Sequence, residues 1–252
     1  MRQVLLSRAE PLRRRPHQLR DGPPDLNPRQ SGRSSKRQKR VRGTAALSQM
    51  RLKTSARSVF LNCPFDSKYE NLYLALIAGA AALGLTPRCV LEIPTTAARL
   101  TRLVDLISQC DYSIHDLSRV QLSGPAPRCP RFNMPFELGL AVAVAVHENY
   151  GNHHWIVLEA VQYRLLRSLS DLNGFDPFIH GNSVSGVLGV LTDAFEKPGH
   201  AVPIVHMREL YRLLRLFAVN LKAAERLNDL YRPSAFRKLV VTAVKIDAEL
   251  RA

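Results

Sequence analysis

Cysteine is scarce in this sequence and is never arranged for metal binding. The four thiols, Cys63, Cys89, Cys110 and Cys129, form no Cys-x-x-Cys pair and have no histidine at zinc-finger spacing. They read as reduced thiols of a cytoplasmic protein. Cys63, Cys89 and Cys110 fall in or beside expected strands, where a small hydrophobe packs well. A nucleophilic Cys63 is the lesser alternative. Glycine-rich phosphate loops are also missing: there is no Gly-x-Gly-x-x-Gly and no P-loop, so neither a dinucleotide cofactor nor an ATP site of the usual kind is expected. No metal site is expected either. Long hydrophobic runs are absent too. The longest, Leu72–Leu85 and Leu138–Val146, are too short to span a bilayer and read as buried helices. Near the N-terminus only Val4-Leu5-Leu6 are apolar in a row, so no secretory signal is expected. A membrane partner is not expected.

Acidic residues are rare at one end only. Residues 1–57 hold 16 Lys/Arg against three acids, whereas residues 58–252 hold 20 against 18. The net charge of +15 therefore describes the tail and not the rest. That tail is rich in Pro, Arg, Ser and Gln without apolar periodicity, the composition of a disordered appendage. Its run Lys36-Arg37-Gln38-Lys39-Arg40-Val41-Arg42 can touch phosphate backbones. No aromatic residue interleaves it for base stacking, so no specific nucleic-acid partner is expected. An alternative reading starts translation at Met50.

From Ser58 onward strand and helix patterns alternate. Strands are expected over Ser58–Phe65, Thr86–Ile93, Asp111–Leu117 and His154–Glu159, with a short fifth over Asp176–His180. Helices are expected over Tyr69–Leu83, closed by Gly84, over Ala97–Gln109, and over Val184–Phe195. This alternation predicts an α/β domain over 58–200, a flavodoxin-like parallel sheet of four to five strands with helices on both faces. Residues 201–252 follow as a helical hairpin, Ile204–Leu230 and Ser234–Leu250 with Pro233 opening the second helix. The hairpin packs on the sheet domain or serves as a homo-oligomer contact through 204–250.

The chemistry converges on Arg131-Phe132-Asn133-Met134-Pro135-Phe136-Glu137. Proline suits the first turn of a helix, with Met134 or Asn133 as cap. Glu137 then falls near the third helical position, where the helix dipole keeps a carboxylate ionised. The aliphatic helix behind it is expected to be buried. Glu137 either caps its own helix or presents an anion to a cleft. In open parallel sheets the cleft lies at the carboxyl ends of the strands. The polar residues fall there: Asn62 and Asp66 after the first strand, Arg88 and Glu92 on the second, His115 and Asp116 on the third. That clustering favours the cleft.

Three blocks together, Val59-Phe60-Leu61-Asn62-Cys63-Pro64-Phe65, Asp111-Tyr112-Ser113-Ile114-His115-Asp116 and Phe136-Glu137-Leu138-Gly139-Leu140-Ala141, resemble the nucleoside 2-deoxyribosyltransferase-like and TIR-like superfamily. The resemblance covers roughly residues 58–195. It implies that Glu137 attacks the anomeric carbon of a nucleoside or nucleotide sugar and that Asp116 contacts the sugar or base. Two departures stand out. Asn62-Cys63 replaces the small residues before the Pro-Phe turn, and the Asp-Gly-Thr run ahead of the glutamate is absent. These point away from a free deoxynucleoside. The chain is also similar to bacterial TIR-like proteins of conflict systems, whose substrate is NAD.

The residues suit that chemistry in their own right. Breaking an N-glycosidic bond passes through an oxocarbenium-like state that a carboxylate stabilises or captures. Asp116 or His115 can position the leaving base or supply a proton. Asn62 and Asn133 can bind sugar hydroxyls, and Pro64, Phe65, Asp66, Arg88 and Glu92 complete the expected binding set. Turn, cap and core roles compete for Asn62, Asn133, Phe65 and Phe136. The expected activity is that of an N-glycosidase, NAD hydrolase or deoxyribosyltransferase, with NAD or a deoxynucleoside as substrate and no cofactor. The alternative is a non-catalytic nucleotide-binding or signalling module that acts through its C-terminal helices.

Overall fold

The computed structural model describes residues 57–95, 98–120, 129–147, 153–167, 169–172, 174–195 and 202–252. The tail expected over 1–57 lies outside the described residues except for Arg57, as does 121–128 of the proline-containing loop. Strands β1 (Arg57–Asn62), β2 (Leu85–Cys89), β3 (Tyr112–Asp116), β4 (His154–Glu159) and β5 (Phe178–Ile179) form one sheet in the order β2-β1-β3-β4-β5. Every pairing is parallel, with Phe60 opposite Arg88 and Asn62 opposite His115. This is the doubly wound, flavodoxin-like arrangement. Pro87 sits on β2, the sheet's edge, where a missing backbone donor is tolerated.

Successive residues of β1 point to opposite faces and seed two cores. Val59 and Leu61 pack with α1 (Glu70–Ala82), α4 (Val184–Phe195), α5 (Ile204–Glu225) and α6 (Pro233–Arg251). Phe60 packs on the other side with Leu103, Leu106 and Ile107 of α2 (Arg99–Ser108) and Ala141 and Val144 of α3 (Asn133–Val146). Helix α1 is buried over eleven of its thirteen residues because the sheet lies on one side and α4, α5 and α6 on the other. That explains why its sequence is apolar all round. It ends as expected at Gly84, whose φ of +70° is the left-handed turn that closes a helix. The hairpin packs within the chain: Met207, Leu210, Leu214, Leu239 and Ala243 belong to the same core as β1. No helix among the described residues is long and apolar enough to cross a membrane.

Two element ends and one burial pattern depart from the sequence expectation. Strand β2 stops at Cys89 and not at Ile93, because Val90–Glu92 wind into a 3-10 turn. The Glu92 carboxylate accepts from the Cys89 backbone N–H at 3.0 Å and closes that turn. Helix α5 ends at Glu225 and not at Leu230, since Arg226 takes a left-handed φ of 51°. Helix α3 is buried along one side only, through Met134, Leu138, Ala141 and Val144, and leaves Phe136 and Val146 more than half exposed. The aliphatic sequence predicts burial of the whole helix, and the core role offered for Phe136 is not taken up. Among the described residues α3 packs against α2, the sheet and Leu165 with its neighbours, and the far side of the helix stays open.

Candidate active site

The chain leaves β1 through α1 toward β2 and returns to β3 on the other flank, so the topological switch point lies between β1 and β3. A cleft of about 450 Å³ opens at the carboxyl edge of this part of the sheet. Asn62, Cys63, Pro64 and Phe65 line it from the end of β1, Val90 and Leu91 from the turn after β2, Arg99 from α2, and Arg131, Phe132, Asn133, Met134 and Glu137 from the approach to α3. A second cavity of about 330 Å³ shares Val90, Arg99, Asn133 and Glu137 and runs on between α2 and α3. Glu137 therefore belongs to both hollows.

Phe132 already has helical dihedrals, so α3 begins at Asn133 and Glu137 is its fifth residue, in the second turn. The expected cap at Met134 or Asn133 and the third-position glutamate are corrected accordingly. Among the described residues no side chain caps this helix, which removes the capping role for Glu137. Burial pushes the Glu137 carboxyl up to about 7, with the Arg99 guanidinium pulling the other way. The sequence expectation of a fully ionised carboxylate at neutral pH is thereby revised: desolvation outweighs the nearby positive charge. Among the described residues no hydrogen bond or ion pair ties this carboxylate down.

Asn62 lines the cleft from β1 while almost fully buried, and its Nδ2 donates to the Met134 carbonyl at 2.8 Å. Asn133, Pro64 and Phe65 also line the cleft. The Phe65 ring lies 5.2 Å from that of Tyr231 and 6.2 Å from that of Tyr73, so it forms a packed wall with one side toward the cavity. Cys63 faces the same cavity, but burial, then the nearby Cys89, Asp116, Glu137 and Asp66, raise its thiol well above the usual range. It stays protonated and unreactive.

The other expected site residues lie outside the lining. Asp116 is fully buried behind the cleft. Its carboxylate accepts from the Tyr69 hydroxyl and from the Ser118 backbone N–H at 2.8 Å. Nε2 of His180 lies 3.2 Å from it. Burial favours its neutral form, but His180, Tyr69 and Ser118 together overcome this and hold it below the ordinary carboxylate range. Asp116 thus joins α1, β3 and the end of β5, a strut and not a group open to a substrate. His115 is equally buried, and desolvation, reinforced by His153, lowers it to about 3. Arg88 and Glu92 pair at 2.7 Å and brace the turn that carries Val90 and Leu91. Asp66 accepts from Arg131 at 2.9 Å and from the Lys68 and Tyr69 backbone N–H groups, and so fixes the loop into α1. Among the described residues no group of three or more His, Cys, Asp or Glu could hold a metal ion.

Arg99 is among the lining residues that sequence reasoning passed over, as are Val90 and Leu91. Beside an apolar stripe of α2 it looks like part of a solvated face. The available signal was topological: a helix that follows a parallel strand begins at the carboxyl edge, so its first residues look toward the cleft. Compared with family models, with curated proteins and with solved structures, the chain finds no match in any of the three.

Proposed function

We propose that this chain cleaves the N-glycosidic bond of a nucleoside or nucleotide, with Glu137 as the nucleophile. One observation carries the reading: an untethered, desolvated carboxylate shared by two joined cavities at the switch point of a doubly wound sheet. A Glu137 oxygen bonds to the anomeric carbon while the C–N bond breaks and its electron pair leaves with the base. Water then adds to the same carbon, frees the carboxylate and gives up a proton to solvent. The Arg99 guanidinium favours the ionised form that the first step needs.

The leaving base receives little help. His115 stays neutral with both ring nitrogens engaged, and Asp116 stays ionised among its partners. Neither donates a proton at neutral pH. A pyridinium, as in NAD, departs as a neutral base and requires none, which supports NAD over a neutral deoxynucleoside.

The test is incubation of the purified protein with NAD and with a panel of nucleosides, followed by chromatography for free base. Release that disappears in Glu137→Gln at an unchanged melting temperature supports the proposal. Binding without release from any compound overturns it and favours a non-catalytic nucleotide-binding module.

A further inference from the structure

A chain of buried hydrogen bonds crosses the sheet from its amino edge to the cleft, and it admits only one arrangement of protons. At the amino edge, the Cys110 carbonyl lies 2.8 Å from Nδ1 of His153. A carbonyl can only accept, so Nδ1 carries the proton, and a neutral ring leaves Nε2 as an acceptor. Nε2 is 2.8 Å from the Ser113 hydroxyl, which therefore donates to it. The same hydroxyl lies 2.9 Å from Nε2 of His115 and accepts from it. Nδ1 of His115 is then a bare lone pair, 2.8 Å from Nδ2 of Asn62.

The cleft end leads independently to the same assignment. The Met134 carbonyl, again an acceptor only, lies 2.8 Å from the Asn62 amide, so the atom facing it is the nitrogen. The two amide hydrogens go to Met134 and to His115. Nothing is left to offer the cleft but the carbonyl oxygen. Among the described residues that oxygen has no partner, and it is not among the enclosed polar atoms left unsatisfied. It therefore opens on the cavity that Asn62 lines.

We propose that Asn62 is a specificity residue, locked by the Ser113–His115–His153 chain as an obligate acceptor, and that it selects a ribosyl over a 2-deoxyribosyl group. This rests on the glycosidase reading given above. Its amide is bonded to Met134, three residues before Glu137 on the same helix, so acceptor and nucleophile share one turn of the lining. The sugar substituent next to the carbon under attack is the 2-hydroxyl, a donor that matches the Asn62 oxygen. A 2-deoxy sugar leaves that oxygen desolvated and unpaired.

Binding tests the proposal without relying on turnover. In Glu137→Gln protein, dissociation constants are measured by calorimetry for adenosine against 2′-deoxyadenosine, and for nicotinamide riboside against its 2′-deoxy analogue. The expected result is at least tenfold tighter binding of each riboside. Ser113→Ala, placed on the same background, cuts the chain away from the cleft and should shrink that ratio several-fold, which a merely structural effect on affinity would leave unchanged. Equal affinity within each pair, no binding by either pair, or an unaltered ratio in the Ser113→Ala protein overturns it. Failure of the glycosidase reading is seen separately, as a riboside preference in binding with no base released by the wild-type protein.

Discussion

The hydroxyl of Tyr231, in the link between α5 and α6, donates to the backbone carbonyl of Asp66 at 2.6 Å. Its ring lies 5.2 Å from both Phe65 and Tyr73. The C-terminal hairpin thus reaches the loop after β1 that forms one wall of the cleft, and Asp66 in turn fixes Arg131 on the opposite wall. The hairpin is part of the site's support as well as of the core.

Tyr231→Phe should keep the ring contacts and remove only the hydrogen bond to Asp66. A loss of about 1 kcal/mol is expected, the usual net worth of such a bond. Ligand affinity should weaken more than stability suggests, because the Asp66–Arg131 contact loses its anchor. A denaturation curve and a binding isotherm for the same variant check this. An isotherm identical to wild type would mean that the hairpin does not support the cleft.

Leu214 is fully buried on α5 within the core that includes β1 and α1, whereas Leu213 and Phe217 are only half-buried. Leu214→Asp should therefore cost ~3 kcal/mol or more and unfold the domain, since it combines a lost core side chain with a buried charge. Leu213→Asp should cost less. Thermal melting with sizing chromatography decides: a folded Leu214→Asp protein with a smaller hydrodynamic size would place this face at a subunit contact.

The fold was legible because alternating apolar strands and helices of standard length leave few arrangements besides a parallel sheet covered on both sides. Even the short β5 left a trace, in Phe178 and Ile179 beside turn residues. The site was legible only in part. Asn62, Pro64, Phe65, Asn133 and Glu137 reach the cleft, and all lie at ends of elements, where topology alone puts them at the carboxyl edge. Asp116 and His115 lie on the same edge but point into the protein, toward Tyr69 and Ser113. Which way a strand-end side chain faces depends on partners from distant segments, such as Tyr69 and His180 for Asp116, and no local pattern encodes those. The start of α3 was misplaced for a related reason: Asn133 has the character of a cap, yet the turn begins one residue earlier.

Stability should fall in acid below about pH 4, and the sign follows from three buried groups. His115 takes up a proton near 6.5 in the unfolded chain but only near 3 in the fold, so stability present above about 6.5 is lost as pH falls toward 3. At about 1.4 kcal/mol per pH unit the full effect is on the order of 5 kcal/mol. Asp116, held below the ordinary carboxylate range, adds a loss of the same sign at the acid end of that window. Glu137 acts the other way: raised from 4.5 to about 7, it gains stability as pH falls through that window, so the melting temperature should stay nearly level from pH 8 to about pH 4 and decline below it. In Glu137→Gln protein, which lacks the opposing group, the melting temperature should decline from about pH 6.5, and one that rises between pH 7 and pH 5 would show that His115 is not buried in the form described.

The pH dependence of base release separates the two roles open to Glu137. A nucleophile must be ionised, and burial sets this carboxyl at about 7. Base release at limiting substrate should then drop about tenfold for each pH unit below that point and level off above it. A general acid would give the mirror image, with activity lost as pH rises. Arg99→Gln removes the charge that holds the carboxyl down, so the acid limb should move to higher pH, whereas Cys63→Ala should leave both rate and profile nearly unchanged. Glu137→Gln should abolish the limb together with the activity, at an almost constant melting temperature, because the lost interaction is made in the transition state. Activity that survives Glu137→Gln but disappears in Cys63→Ala would transfer the nucleophile to the thiol, against the burial that keeps that thiol protonated.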